Sequence, residues 1–439
     1  MWSKNSSFDG GTLSISGISA AALAKDFGTP AFFLDEDAYR SRALAWKNGL
    51  ESEFGENAGT IYYAAKSFIC TAVAQWIAEI GIGIDVCTGG ELAAALAGGI
   101  DPKKIEVHGN NKSVAEIERA VSVGVKTIVM DSLFEIERVA AAAKKYGVRQ
   151  AVMLRLTPGI EAHTHEKIST AHEDVKFGFS IASGAAWAAA EAVAQRPELE
   201  LRGVHCHIGS QIFGSEAHEI ATDRLMSFMA KYRDEFGNEL PELDLGGGFG
   251  IAYVEGDITV EPADVLPHIH EAVKKACTVY NLAMPLVSLE PGRNIVGPTM
   301  FTLYEVGTVK DVVIEGGKVR KYVSVDGGMS DNARTALYDA EYTAVIAQRV
   351  STAPLALTRL VGKHCETGDI VIKDVQLPSD IAPGDLLAVP ATGAYGRSMA
   401  SNYNHMTRPP VISVLNGGAR TMIRRETYAD LLALEVDDE

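Results

Sequence analysis

"TIYYAAKSF" (residues 60–68) is a β-branched and aromatic run that closes on a lysine. Tyr62, Tyr63, Ala64 and Ala65 suit a strand packed into an interior, whereas a buried, unpaired ammonium carries a heavy desolvation cost. Lys66 therefore belongs at the exit of the strand. The residues beyond that exit separate two α/β architectures. A doubly wound sheet with a dinucleotide site enters its first helix through G-x-G-x-x-G, and no such fingerprint stands here. A (β/α)8 barrel collects its chemistry at the C-terminal ends of its strands, which is where Lys66 falls.

The same grammar repeats downstream. Further strand-like runs are "IGIDV" (82–86), "IEVHG" (105–109), "TIVMDS" (127–132), "AVMLRL" (151–156), "GVHCHIG" (203–209), "LDLGGG" (243–248) and "PLVSLEPG" (285–292). Segments of helical period such as "SVAEIERAVSVG" and "FEIERVAAAAKKYG" lie between them. Eight strands alternating with helices over about 250 residues is the count of a TIM barrel. The other strand ends carry Asp85, His108 with Asn110 and Asn111, Asp131, Arg155, His207 with Ser210, the Gly246–Gly248 run, and Glu290 with Arg293. After residue 295 the alternation gives way to strands broken by Gly and Pro turns, a second, mostly antiparallel β-domain. The expected division is a barrel over 36–295 and a β-rich domain made of 296–439 and 1–35; "GTLSISG" and "PAFFLDE" in the latter could join the second domain or cap the barrel. The longest irregular piece, 157–179, reads as a polar lid anchored by "KFGF" (176–179). His163, His165 and His172 within it lack an HExxH pattern or cysteine partners, so no metal is expected.

The chain has 439 residues and 47% apolar residues, enough for two or three domains and a large core. Acidic residues (57) outnumber basic ones (40), a formal charge of −17, which argues against nucleic acid or an anionic membrane as partner. No apolar stretch is long enough for a bilayer, and "MWSKNSSFDGG" lacks the apolar core of a signal peptide. Five scattered cysteines without a CxxC pair fit a reduced compartment, so a cytoplasmic protein is expected.

Glycines 246–248 would let backbone N–H groups approach an anion at a loop where barrels commonly hold phosphate. "EPGR" (290–293) adds a carboxylate and a guanidinium at the neighbouring strand end. A carboxylate facing a heteroaromatic nitrogen favours its protonated form, and Arg293 could grip a phosphate or carboxylate in bidentate fashion. His207 could lie against a flat ring and Ser210 donate to phosphate. A lysine partly desolvated in that company can form an imine with an aldehyde. Together these groups describe a pyridoxal 5'-phosphate site, with Lys66 as the covalent partner.

With these motifs assembled, the chain resembles the pyridoxal-phosphate decarboxylases built on an alanine-racemase-like barrel, and within them the diaminopimelate decarboxylases most closely. The resemblance runs from "YYAAKSF" through "HIGSQIF", "LDLGGGFGI", "EPGR", "VDGGMSDNARTALY" and "HCETGD" to "GAYGRSMASNYN". It implies decarboxylation of meso-2,6-diaminopimelate to L-lysine and CO2. It also implies cofactor contacts from His207, Ser210, Gly248, Glu290, Pro291, Gly292, Arg293 and Tyr395, with Asp85 and Glu91 as a flanking acidic pair. The far end of such a substrate bears an ammonium and a carboxylate. The resemblance gives the carboxylate to Arg293, Arg334 and Tyr338, with Tyr395 nearby, and the ammonium to Glu366. Cys365 would be the acid that returns a proton to the substrate carbon, and a homodimer with shared active sites is implied. A decarboxylase or racemase of basic amino acids on the same fold, or a non-catalytic relative, are the rival readings.

Overall fold

The computed structural model describes residues 1–159 and 176–436, so His163, His165, His172 and most of the expected lid lie outside the described residues. The chain divides into two units: 42–250 with 259–294, and 1–41 with 251–258 and 295–439.

The first unit is a closed parallel barrel. Its strands are Gly59–Ala64, Gly83–Val86, Ile105–Val107, Thr127–Met130, Gln150–Thr157, Leu199–His205, Glu242–Asp244 and Leu286–Leu289, here called strands one to eight. They pair in chain order, and strand eight returns to strand one. Local signals set the crossover helices. Ser113 caps Val114–Val123 through a reciprocal capping box with Glu116, and Gly124, at φ +76°, ends that helix in the left-handed conformation. Several strands stop short of the sequence expectation, strands seven and eight among them. Strand seven leaves the ladder before Gly246 and Gly248, whose φ values of +68° and +99° lie outside the strand region. Strand eight ends at Leu289, two residues before Pro291, which has no N–H to offer a ladder.

The second unit is mostly antiparallel. Its main sheet runs in the order Ile370–Pro378, Leu355–Val361, Val319–Val325, Met300–Val313, Ala31–Asp35, Val411–Leu415, Gly418–Ile423. "PAFFLDE" thus supplies a central strand, and "GTLSISG" supplies Thr12–Ile15 to a small three-stranded sheet of the same unit. One core gathers Tyr304, Val323, Leu360 and Leu387 together with Ile251 and Tyr253 from the 251–258 segment. A second gathers Leu13, Phe33, Leu303 and Val414. No helix among the described residues is long and apolar enough to cross a membrane.

Candidate active site

Strand register brings the barrel's polar residues into layers at the strand exits. Ala64 lies beside Asp85, Asp85 beside Glu106, and His205 between Arg155 and Asp244. Lys66 follows strand one in a single tight turn, Ala65–Ser67, and is half-buried. The turn is braced by Ser67 Oγ donating to the Ala64 carbonyl (2.7 Å) and Tyr63 Oη donating to the Phe68 carbonyl (2.6 Å). Gly292 of "EPGR" packs onto it; a Cβ there would stand 2.7 Å from Ala64 Cβ and 2.9 Å from Ser67 Oγ. Lysine and "EPGR" are thus locked into one local structure, with Pro291 buried behind them.

The loops after strands six, seven and eight interlock as well. At Gly247 and Gly248 a Cβ would meet the Glu290 and Gly209 carbonyls at 2.2 and 2.4 Å, so these glycines are demanded by backbone packing. His207 Nδ1 accepts from the Gly247 N–H (3.4 Å). Burial, then the Lys66 charge, hold the His207 ring well below its ordinary pKa, so it is neutral. Arg293 Nη2 donates to Ser210 Oγ (2.9 Å), joining the two groups assigned to phosphate.

Glu290 is the electrostatic centre. It is 3% exposed, and its Oε1 lies 3.0 Å from His108 Nε2 and 3.2 Å from His205 Nε2. Burial alone would raise its pKa; His108, the nearer imidazole, reverses that and holds it well below the carboxylate range. Burial opposes charge on His108 too, yet Glu290, Glu106 and Asp85 outweigh it and push the ring up to about 10. His205 goes the other way, down to about 4, because burial dominates there. Asp85 is pushed up to about 7 by burial and then by Glu290, partly offset by Lys66. Asp244 is raised well above its ordinary value by burial and then by Glu290 and Glu106. Ligand atoms of His108, His205 and Glu290 lie within 4.8 Å of one another, and all three residues are buried. Glu91 accepts from the Cys87 N–H (2.7 Å).

His205, Glu106 and Asp244 have no assignment from sequence, and His108 has a place there but no role. A signal is nonetheless present: Glu106 and His108, like His205 and His207, are two apart in runs that read as strand. The "KFGF" segment is anchored as expected. Phe179 pairs with Leu156, the Gly178 N–H donates to Asp131 Oδ1 (2.7 Å), and the Arg155 guanidinium lies 4.3 Å from the Phe177 ring centre.

Within the β-rich unit, Arg334 and Tyr338 open and close the helix Arg334–Tyr338 but have different surroundings. Arg334 is buried, with Nη1 donating to Tyr342 Oη (2.5 Å) and its guanidinium 4.5 Å from the Tyr253 ring centre. Tyr338 is 66% exposed. Cys365 and Glu366 are exposed on the loop between Leu355–Val361 and Ile370–Pro378; Asn404 Oδ1 accepts from the Cys365 N–H (3.1 Å). Tyr395 is half-buried, with a left-handed backbone at φ +61°. By contrast burial pushes the Cys87 thiol up to about 12, as befits an inert residue.

Residues 37–297 match the profile of the family described as pyridoxal-dependent decarboxylase, pyridoxal binding domain. The chain is similar to the diaminopimelate decarboxylase of Mycobacterium tuberculosis, at 50% identity over 99% of this chain and 98% of that one. It is likewise similar to the diaminopimelate decarboxylase of Bacillus subtilis, at 43% over 97% and 95%. Among solved structures, diaminopimelate decarboxylase from M. jannaschii in co-complex with L-lysine aligns with a TM-score of 0.91 at 30% identity, covering 100% of this chain and 99% of that one.

Proposed function

Because the chain belongs to the pyridoxal-dependent decarboxylases, and among them to the diaminopimelate decarboxylases, we infer that it converts meso-2,6-diaminopimelate to L-lysine and CO2 with pyridoxal 5'-phosphate. One observation of the site carries this reading: a buried carboxylate, Glu290, held anionic one loop away from an amine, with a neutral imidazole and an arginine–serine pair beside it. The donor set fits the cofactor. Glu290 is buried and held anionic, as a group meant to face a protonated ring nitrogen would be. When bound, the cofactor supplies the electron sink for the pair left behind as CO2 departs.

Residue roles follow the same chemistry. Lys66 presents its amine to the cofactor aldehyde, and its turn, clamped by Gly292, limits where that amine can reach. His207, neutral, lies flat against the ring without adding charge, while Glu290, Pro291 and Gly292 form the wall at the ring nitrogen. Ser210, Gly248 and Arg293 take the phosphate, and Tyr395 closes on the cofactor. Arg334, Tyr338 and Arg293 recognise the far carboxylate and Glu366 the far ammonium; a diamine substrate gives Arg334 nothing to bind. The Cys365 thiol delivers the proton to the carbon that lost CO2. Cys365 and Glu366 are both exposed, as residues destined for the active site of a partner subunit would be. A homodimer with shared sites, built on the barrel and the β-rich domain alike, is the assembly this implies. Its five free cysteines support a reducing, cytoplasmic setting.

The test is to mix protein, pyridoxal phosphate and meso-diaminopimelate and follow CO2 and lysine, with ornithine and lysine run in parallel. Release from ornithine or lysine at a rate matching diaminopimelate would overturn the substrate assignment. Borohydride reduction and peptide mapping should place a pyridoxyl group on Lys66.

A further inference from the structure

We propose that His108 is a positioning residue for this reaction: as a buried cation beside Glu290 it keeps that carboxylate anionic, and so keeps the proton on the cofactor's ring nitrogen. The proposal rests on the reading of Glu290 as the partner of that nitrogen.

The geometry draws on several strands around the lumen. Asp85 faces Glu290 from strand two, Glu106 from strand three and Asp244 from strand seven; all are buried, and oxygens of Glu106, Asp244 and Glu290 lie within 4.8 Å of one another. A carboxylate in such company takes up a proton unless a cation is fixed against it. His108 Nε2, 3.0 Å from Glu290 Oε1, is that cation, and it also lies 3.9 Å from Glu106. His205 is as close, with its ring edge-on to His108 at 4.8 Å, but it is neutral. Other basic groups have acidic or aromatic neighbours of their own. Lys126 stands 3.2 Å from Glu242 and 3.8 Å from Glu106, Arg155 is 3.9 Å from Asp131, and Lys66 acts on Asp85 and His207. His108 is thus a charged partner of Glu290 at 3.0 Å. The lumen divides its protons accordingly: Asp85 and Asp244 are driven toward the neutral acid while Glu290 stays charged.

The consequence is a placed proton. Between a ring nitrogen and Glu290 one proton can sit on either atom; a neighbouring imidazolium lowers the basicity of the carboxylate and leaves it on nitrogen. Without that charge the proton passes to Glu290 and the ring is a weaker electron sink.

The experiment uses holoenzyme carrying cofactor labelled with 15N at the ring nitrogen. Wild type should show a protonated ring nitrogen from pH 6 to 9. H108Q should move that resonance toward neutral pyridine and lower kcat on the order of 10²-fold with KM little changed; H108K, restoring a cation, should recover both in part. An H108Q enzyme with the wild-type resonance and a kcat within about twofold overturns the proposal. Should H108Q fail to fold, 15N-histidine wild type decides the matter: at pH 8.5 it must hold one doubly protonated, exchange-protected imidazole, and its absence overturns the proposal equally. E290Q separates the two layers. A ring resonance unmoved by E290Q, or a borohydride tag away from Lys66, refutes the underlying site; a resonance moved by E290Q but not by H108Q refutes the role of His108 alone.

Discussion

If Arg334 reads the far carboxylate as proposed, substrate choice comes down to a single side chain. A guanidinium buried between Tyr342 and Tyr253 is expensive to desolvate, and its ring contacts compensate only part of that. On the proposed role an anionic ligand would supply the rest, and Arg334→Ala should cut kcat/KM for meso-diaminopimelate by about 10²–10³, the cost of stranding a charged partner. Thermal unfolding should change little by comparison, and unchanged turnover would remove Arg334 from the substrate site. At this scale much is legible in sequence, because reactive residue types at strand exits are few and each has a chemical reason to be there. His108, His205 and Asp244 are not. A histidine or aspartate on a strand reads the same whether it faces solvent, core or another charge, and only the register across neighbouring strands places three carboxyl groups around one imidazolium.

At the scale of elements, two loops show how backbone packing carries function. Gly292 allows the "EPGR" loop to touch the Lys66 turn, so Gly292→Ala should push the two apart at a cost of about 1–3 kcal/mol. Cofactor retained after desalting should fall at least about fivefold, measured by absorbance; full retention would show that the turn does not need this clamp. In the β-rich unit, Tyr304 Oη donates to Asp331 and the Gly328 N–H donates to its other oxygen (2.8 Å). Burial nonetheless pushes Asp331 up to about 7. A carboxyl whose folded pKa is raised favours folding below its unfolded pKa, near 4, and loses that advantage as pH rises through its folded pKa. Denaturant unfolding of wild type relative to Asp331→Asn should therefore decline between about pH 4 and pH 7, by no more than about 4 kcal/mol, and be level outside that window. A level difference throughout would mean that Asp331 ionises like an exposed carboxylate.

At the scale of the whole molecule the question is where Cys365 works. If it serves the lysine of a partner subunit, Lys66→Ala and Cys365→Ala homodimers should each be inactive, and co-refolding them in equal amounts should restore about a quarter of wild-type activity, since half the dimers then own one intact site. If Cys365 serves its own chain, the mixture stays inactive. Size-exclusion with light scattering reports the assembly independently.

The chain by itself determined the barrel, because eight alternations of strand and helix with polar exits admit few other closures, and it determined the cofactor class, because an amine at one exit with a carboxylate and an arginine together at another serve few other ligands. The strand ends at Asp244 and Leu289, and the assignment of Ile251 and Tyr253 to the core of the β-rich unit, came from tertiary structure. So did the charge state of the lumen. Proton affinity in a buried cluster is set by distances of a few ångströms between residues far apart in sequence, and the order of residues along a chain carries no record of those distances until the sheet closes.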